Sequence, residues 1–343
     1  MNAVCLQRLL IGAVLAGTLA SSSALSANDT RNDTMAPEPL YDALLDALNA
    51  TFGRHPGFRA THAKGLLVNG TFKASPNAST LSRAAHLQGQ TVPVVLRFSN
   101  FSGVPATADG DPLASPRGLA VRFTLAGGEV TDIVTHSFDG FPVATPEDFL
   151  IFLQGIAANV ATPPDPLPLH SFLAGHPRAR AFLDAPKPAP RSYAGLEYFA
   201  VNALVFSNHR GVETIGRYRI EPLLMQPLLS DAEAAAKPAD YLQSEMTEQL
   251  AKGSLTLRLV LQLASAEDAI EDGSVAWSRQ HQEIELGIFS LDSLEPADAQ
   301  FGAQQQLAFS PGRLLDGISL SADPMTLARD RIYQRAVLRR QQR

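Results

Sequence analysis

The sequence predicts an α+β chain: a closed antiparallel eight-stranded β-barrel with flanking helices. Three observations predict it. Eight short apolar runs fall into two groups of four, bounded by the Gly, Pro and Asp clusters that end strands. Their hairpin-like spacing favours antiparallel neighbours, and eight strands are enough to close a barrel. Helical apolar spacing appears before, between and after the strand runs, which places helices outside the barrel.

Taken in order, residues 1–26 read as a cleavable secretory signal. Arg8 supplies the positive start, Leu9 to Ala20 the apolar stretch, and Ser22 to Ala24 or Ala24 to Ser26 the small-residue cleavage site. Residues 27–38 are polar and read as a flexible leader, and residues 39–343 form one domain. Tyr41 to Phe52 is an amphipathic helix with Leu44, Leu45 and Leu48 on one side. The first strands are Leu66–Phe72, Val92–Phe98, Leu119–Leu125 and Val130–Thr135, with Gly127 and Gly128 as the hairpin turn between the last two. Thr145, Pro146 and Asp148 spell a helix start, opening a helix that carries Phe149, Leu150, Phe152 and Leu153. A Pro-rich connection, a helix near Ser171–Leu183 and another Pro-rich turn at Pro186–Pro190 follow. The second strands are Tyr198–Phe206, Glu213–Ile220, Leu255–Leu263 and Glu285–Phe289, interrupted by a helix near Tyr241–Ala251. The last stretch, from Phe309, ends on a helix. There is no internal repeat.

Composition narrows the class of function. A chain of 343 residues, 45% hydrophobic and 18% charged, buries a sizeable core and is not disordered. Its formal net charge of −6 leaves no footprint for nucleic acid or anionic lipid. The apolar stretch of the signal is too short to span a bilayer comfortably, so no membrane attachment is expected after cleavage. The only cysteine, Cys5, lies inside the signal. The mature chain is therefore expected to lack disulfides, cysteine-ligated metals and thiol peroxidase chemistry, and to reside in a bacterial periplasm.

Three segments carry chemistry. In the last, Arg329 stands four residues before Tyr333, which on a helix brings the two side chains to one face. A guanidinium beside a phenol favours its ionised form, and a phenolate ligates iron. The second segment is Arg59, Thr61, His62, Ala63, Lys64 and Gly65. An imidazole, with an ordinary pKa near 6.5, accepts and returns a proton readily. The third joins Arg97, Phe98 and Ser99 to Ser115, Pro116, Arg117 and Gly118.

Together these segments resemble those of catalases. The resemblance implies the catalase haem fold and a haem b cofactor, with Tyr333 as axial iron ligand steadied by Arg329. It implies that His62 moves the peroxide proton while Ser99 hydrogen-bonds its ring. Arg59, Arg97 and Arg340 would pair with the haem propionates, Phe149 would pack on the haem, and Arg117 would be structural. The remaining arginines of the last helix, Arg331, Arg335 and Arg339, read equally well as a solvated face.

The match also departs from catalases. Their distal side carries an Asn, and no Asn stands in the corresponding run Thr135, His136, Ser137. Ser137 falls in that column and can donate one hydrogen bond; His136 is the other candidate, as a second acid–base group or a channel residue. Thr61 stands where catalases have Val. Catalase-like enzymes that isomerise fatty-acid hydroperoxides carry Thr there, and its hydroxyl can hydrogen-bond the imidazole and weaken its basicity. Beyond Tyr333 only Arg340 matches, and the chain stops without a counterpart of the C-terminal helical, nucleotide-binding region. That shortened plan is similar to the catalase-related peroxidases. It implies peroxide as substrate, a small organic reductant, no NADPH, and a monomer or small homo-oligomer. The alternatives are a fatty-acid hydroperoxide isomerase or lyase and a non-catalytic haem-binding module.

Overall fold

The computed structural model describes residues 38–341; the expected signal at 1–26 and nearly all of the leader lie outside them. Ten strands form one sheet: β1 Gly65–Ala74, β2 Thr91–Ser99, β3 Gly118–Thr124, β4 Val130–His136, β5 Tyr198–Phe199, β6 Leu204–Ser207, β7 Glu213–Pro222, β8 Leu255–Leu263, β9 Glu283–Leu294 and β10 Ile318–Leu320. The order β7-β5-β4-β3-β2-β1-β9-β8 closes on itself through β7 and β8, giving an eight-stranded antiparallel barrel. β6 and β10 extend β7 as a side ribbon.

The barrel follows from residue alternation. Leu96, Phe98, Leu119, Val121 and Phe123 point inward and are fully or almost fully buried. Phe72, Phe123 and Phe289 pack edge-on or tilted at centroid distances of 4.9–5.8 Å. Each such side chain taken from water contributes about 1.5–3 kcal/mol. The intervening residues Arg97, Ser99, Gly118 and His136 share the outer face, and that face carries the chemistry.

Nine helices are described: α1 Glu38–Phe52, α2 Ala78–Leu81, α3 Pro146–Val160, α4 Leu167–Gly175, α5 Pro177–Asp184, α6 Asp231–Ala235, α7 Tyr241–Lys252, α8 Gln300–Gln306 and α9 Pro324–Gln341. A second core lies among α1, α3, α4 and α9, built on Leu44, Leu48, Phe152, Phe172 and Met325. α3 starts as its sequence predicts, with the Thr145 hydroxyl accepting the Asp148 amide at 3.2 Å. α9 is tied to α1 by Arg339, 2.8 Å from Asp42 and 2.6 Å from Asp46, and by Arg335 on Asp42. Arg335 and Arg339 therefore hold two helices together, in place of the solvated face the sequence also allowed. No described helix is long and apolar enough to cross a membrane.

The structure differs from the predicted elements in three ways. The helix near Ser171–Leu183 is two, because Pro177 lacks the amide that a continuous helix needs. The strand Tyr198–Phe206 breaks between β5 and β6, where Asn202 turns to bond Asp323 and Arg329. α2, α6, α8 and β10 were not predicted. The α8 sequence, dominated by Gln and interrupted by Gly302, shows no apolar stripe.

Candidate haem site

His62 stands in the loop entering β1, with a left-handed φ of 57°. A β-carbon in that region is strained by about 1–3 kcal/mol, so the surrounding contacts must impose it. They do: the His62 and Ala63 amides bond the carbonyls of Phe101 and Ser102 at 2.8 and 3.0 Å. The Ser99 hydroxyl lies 3.1 Å from His62 Nδ1, and Phe101 meets the ring edge-on at 5.6 Å. Burial, then the charges of Arg97, His136, Arg59 and Arg329, push the His62 imidazole down to about 3. It is neutral across the physiological range.

Beneath this ring lies a cradle that sequence reasoning missed. Ser99, Gly118 and His136 are directly opposite one another across β2, β3 and β4, and opposite residues share a face. A β-carbon at Gly118 would lie 2.6 Å from Ser99 Oγ and 2.7 Å from His62 Nδ1. Glycine is required there for the imidazole to approach the sheet. The Ser115 to Gly118 motif carried the signal, without showing which contact made it necessary.

Both ring nitrogens of His136 are sealed from solvent without a hydrogen-bond partner. Burial, then the charges of Arg329 and Lys187, bring this imidazole also to about 3. Ser137 is placed differently. Its hydroxyl accepts the Arg117 amide at 2.8 Å, and its own amide bonds the Arg117 carbonyl. Arg117 is structural, fully buried and bonded to Asn100, Ala114 and Asp109. Thr61 does not hydrogen-bond the imidazole: its hydroxyl donates to the Phe101 carbonyl at 2.6 Å.

Arg59, Arg97 and Arg340 converge on the C-terminal end of α8. Arg59 bonds the Gln304 and Leu307 carbonyls. Arg97 bonds the Gln304 side chain and the His62 carbonyl, each at 2.8 Å. Arg340 bonds the Gln305 and Leu307 carbonyls. The negative end of a helix dipole offsets part of this charge. Burial lowers all three guanidiniums, and with mutual repulsion added it lowers Arg59 and brings Arg97 to about 9. No carboxylate of the described residues pairs with any of them. Arg97 and Arg340 are buried and Arg59 partly so; such a set of cations, with no described carboxylate beside it, fits the two carboxylates of a haem.

The opposite side is built on α9. Arg329 Nη2 is 3.4 Å from the Tyr333 hydroxyl, and its cation sits 5.8 Å from that ring. Behind it, Arg329 bonds Asn202 Oδ1 at 2.5 Å, and Asn202 bonds Asp323 at 2.6 Å. Asp323 also caps α9 through the Met325 amide at 2.8 Å. Asn202 and Asp323 were not singled out from sequence, and nothing local distinguishes them. Buried Asp132, held by Arg122 and Arg313, anchors the strand end near Phe309 to the segment leading to α9. Arg329 is near enough to act on both His62 and His136, and Tyr333 on Arg59. Phe149 packs on Phe141 and Phe152 at 4.9 and 6.4 Å, and Phe141 in turn lies 6.5 Å from His136.

This barrel, with a neutral imidazole, a Tyr–Arg pair and an arginine cluster on its outer face, matches a known family over residues 24–342, that of catalase. The chain belongs to the catalase family. Membership implies a haem cofactor. The chain is 35% identical to a catalase-related peroxidase of Mycolicibacterium paratuberculosis, covering 86% of this chain and 93% of that one. It is 31% identical to a catalase-related peroxidase of Synechococcus elongatus, covering 85% and 86%. Catalase A of Saccharomyces cerevisiae shares the fold, with a TM-score of 0.73 at 21% identity over 94% of this chain and 68% of that one.

Proposed function

We propose that this chain is a haem b peroxidase that reduces hydrogen peroxide or organic hydroperoxides with small organic electron donors. Weak catalase activity accompanies that reaction, and the role is defence against oxidative stress in the periplasm, reached through the signal at 1–26. Membership of the catalase family and likeness to two catalase-related peroxidases support an oxidoreductase acting on peroxide. One observation carries the reading: a partly buried, neutral His62, hydrogen-bonded to Ser99, stands close enough to feel the charges of Arg97 and Arg59, which with Arg340 form a cluster that no described carboxylate pairs.

In this reading Arg59, Arg97 and Arg340 hold the propionates, Tyr333 ligates the iron and Arg329 steadies the phenolate. Phe149 packs the flank. Bound there, haem supplies the electron-transfer chemistry. The chain supplies proton management. His62 accepts the proton from one peroxide oxygen and returns it to the other, which leaves as water. Ser99 fixes the ring through Nδ1 and leaves the far nitrogen for the substrate. The isomerase alternative rested on Thr61, whose hydroxyl is committed to Phe101.

The test is oxygen release by the haem-loaded protein given hydrogen peroxide with and without an organic donor. Little oxygen, with peroxide loss that accelerates when donor is added, is expected. Stoichiometric oxygen release without donor would indicate a catalase cycle, and no turnover in either case a non-catalytic haem-binding module.

A further inference from the structure

We propose that His136 is a second catalytic residue of the distal side, holding one oxygen of the peroxide while His62 moves the proton. The inference rests on the peroxidase reading and assigns its substrate-binding partner. Three observations carry it.

The first is placement. His136 ends β4 directly opposite Gly118, and Gly118 is directly opposite Ser99. Because Gly118 has no side chain, the His62 ring approaches it beside Ser99. The two imidazoles are close enough for the charge of one to act on the other.

The second is an unmet demand. Neither ring nitrogen of His136 has a partner or access to solvent. Each buried polar atom left so costs about 1–3 kcal/mol, and among the described histidines only His136 has both ring nitrogens in that state. Two on one ring mark a missing ligand. Phe141, with its centroid 6.5 Å away, satisfies neither nitrogen.

The third is chemical complementarity. The charges facing His136 are those of Arg329 and Lys187, and together with burial they keep the ring neutral. A neutral imidazole presents one N–H donor and one acceptor nitrogen. A propionate or other simple anion only accepts. Hydrogen peroxide donates and accepts at each oxygen and so can meet whichever ring nitrogen faces it, N–H or acceptor. The proton ledger closes within the site: His62 takes one proton and returns it, whereas the His136 N–H stays on His136 and hydrogen-bonds the departing oxygen. An imidazolate is never required.

The experiment uses the haem-loaded protein and two probes, hydrogen peroxide and cyanide, with His136→Ala and His136→Asn beside the wild type. Haem content, read from the Soret band, normalises each variant. His136→Ala should lower the second-order rate with peroxide and weaken cyanide binding, each by about tenfold, the effect of one lost hydrogen bond. His136→Asn, whose amide restores a donor, should recover most of both, and it keeps the test available where the Ala variant does not fold. Rates and affinities within twofold of wild type in His136→Ala would overturn the proposal, leaving His136 a channel residue. An Asn variant as impaired as Ala would also overturn it, since the role would not be hydrogen bonding. Wild-type protein that takes up haem yet neither consumes peroxide nor binds cyanide would overturn the peroxidase reading itself.

Discussion

His62 is the residue on which the account turns, and its state follows from burial. An imidazole held near 3 is a poor proton sink in the resting site but is unprotonated wherever the enzyme would work. The rate with peroxide should therefore be level between pH 5 and 8. An acid limb with a midpoint near 6.5 in that profile would show a solvent-like imidazole and contradict the buried geometry. Gly118 makes a second test at this scale. Its missing β-carbon leaves room for His62 Nδ1 and Ser99 Oγ, so Gly118→Ala must displace one of them. We expect at least a tenfold loss in the rate with peroxide, at the low end for a misplaced catalytic group, with haem still bound. Full activity would show that the imidazole has slack.

At the scale of elements, the strands and the long helices were legible because each satisfies one periodicity. β2 and β3 alternate, with Leu96, Phe98, Leu119 and Val121 on the inner face and Arg97 and Ser99 on the outer one. What escaped the sequence has no periodic signal. α8 is a polar helix whose value lies in its carbonyl end, where three arginines meet. The break between β5 and β6 depends on Asn202 finding Asp323, 121 residues away in sequence. The choice between Ser137 and His136 depended on which residue shares a face with Ser99, a matter of strand register that composition does not express. Asp323 links both kinds of feature, capping α9 and orienting Asn202 behind Arg329. Asp323→Ala should lose about 1 kcal/mol or more from the cap alone, read as a lowered thermal midpoint. It should also alter the absorption spectrum of the haem-loaded protein through Arg329 and Tyr333. An unchanged midpoint would remove Asp323 from both roles.

For the whole molecule, the barrel closes through β7 and β8 and buries its aromatic centre, while the chemistry lies outside its wall under α1, α3 and α9. That arrangement stores neutral histidines. His62, His86 and His136 all have folded values near 3, below the unfolded value near 6.5. The unfolded chain therefore binds protons first on acidification. The stability these groups allow is complete above about pH 6.5 and is lost as the pH falls toward 3, by at most about 1.4 kcal/mol per histidine per pH unit. Asp139, Glu245 and Asp323, whose carboxyls burial pushes up, act in the opposite sense and offset part of it. The urea midpoint should fall from pH 7 to pH 5.5; a level or rising midpoint would contradict the buried, neutral assignment.

The most direct test of the central claim is the rate of peroxide-driven donor oxidation by haem-loaded His62→Ala beside the wild type. The account predicts normal haem uptake and a rate lower by about 10²–10⁴, the usual contribution of a positioned acid–base group. A variant that takes up haem and turns over like the wild type would show that the proton is moved elsewhere, and that the buried imidazole over Gly118 is not the catalytic centre.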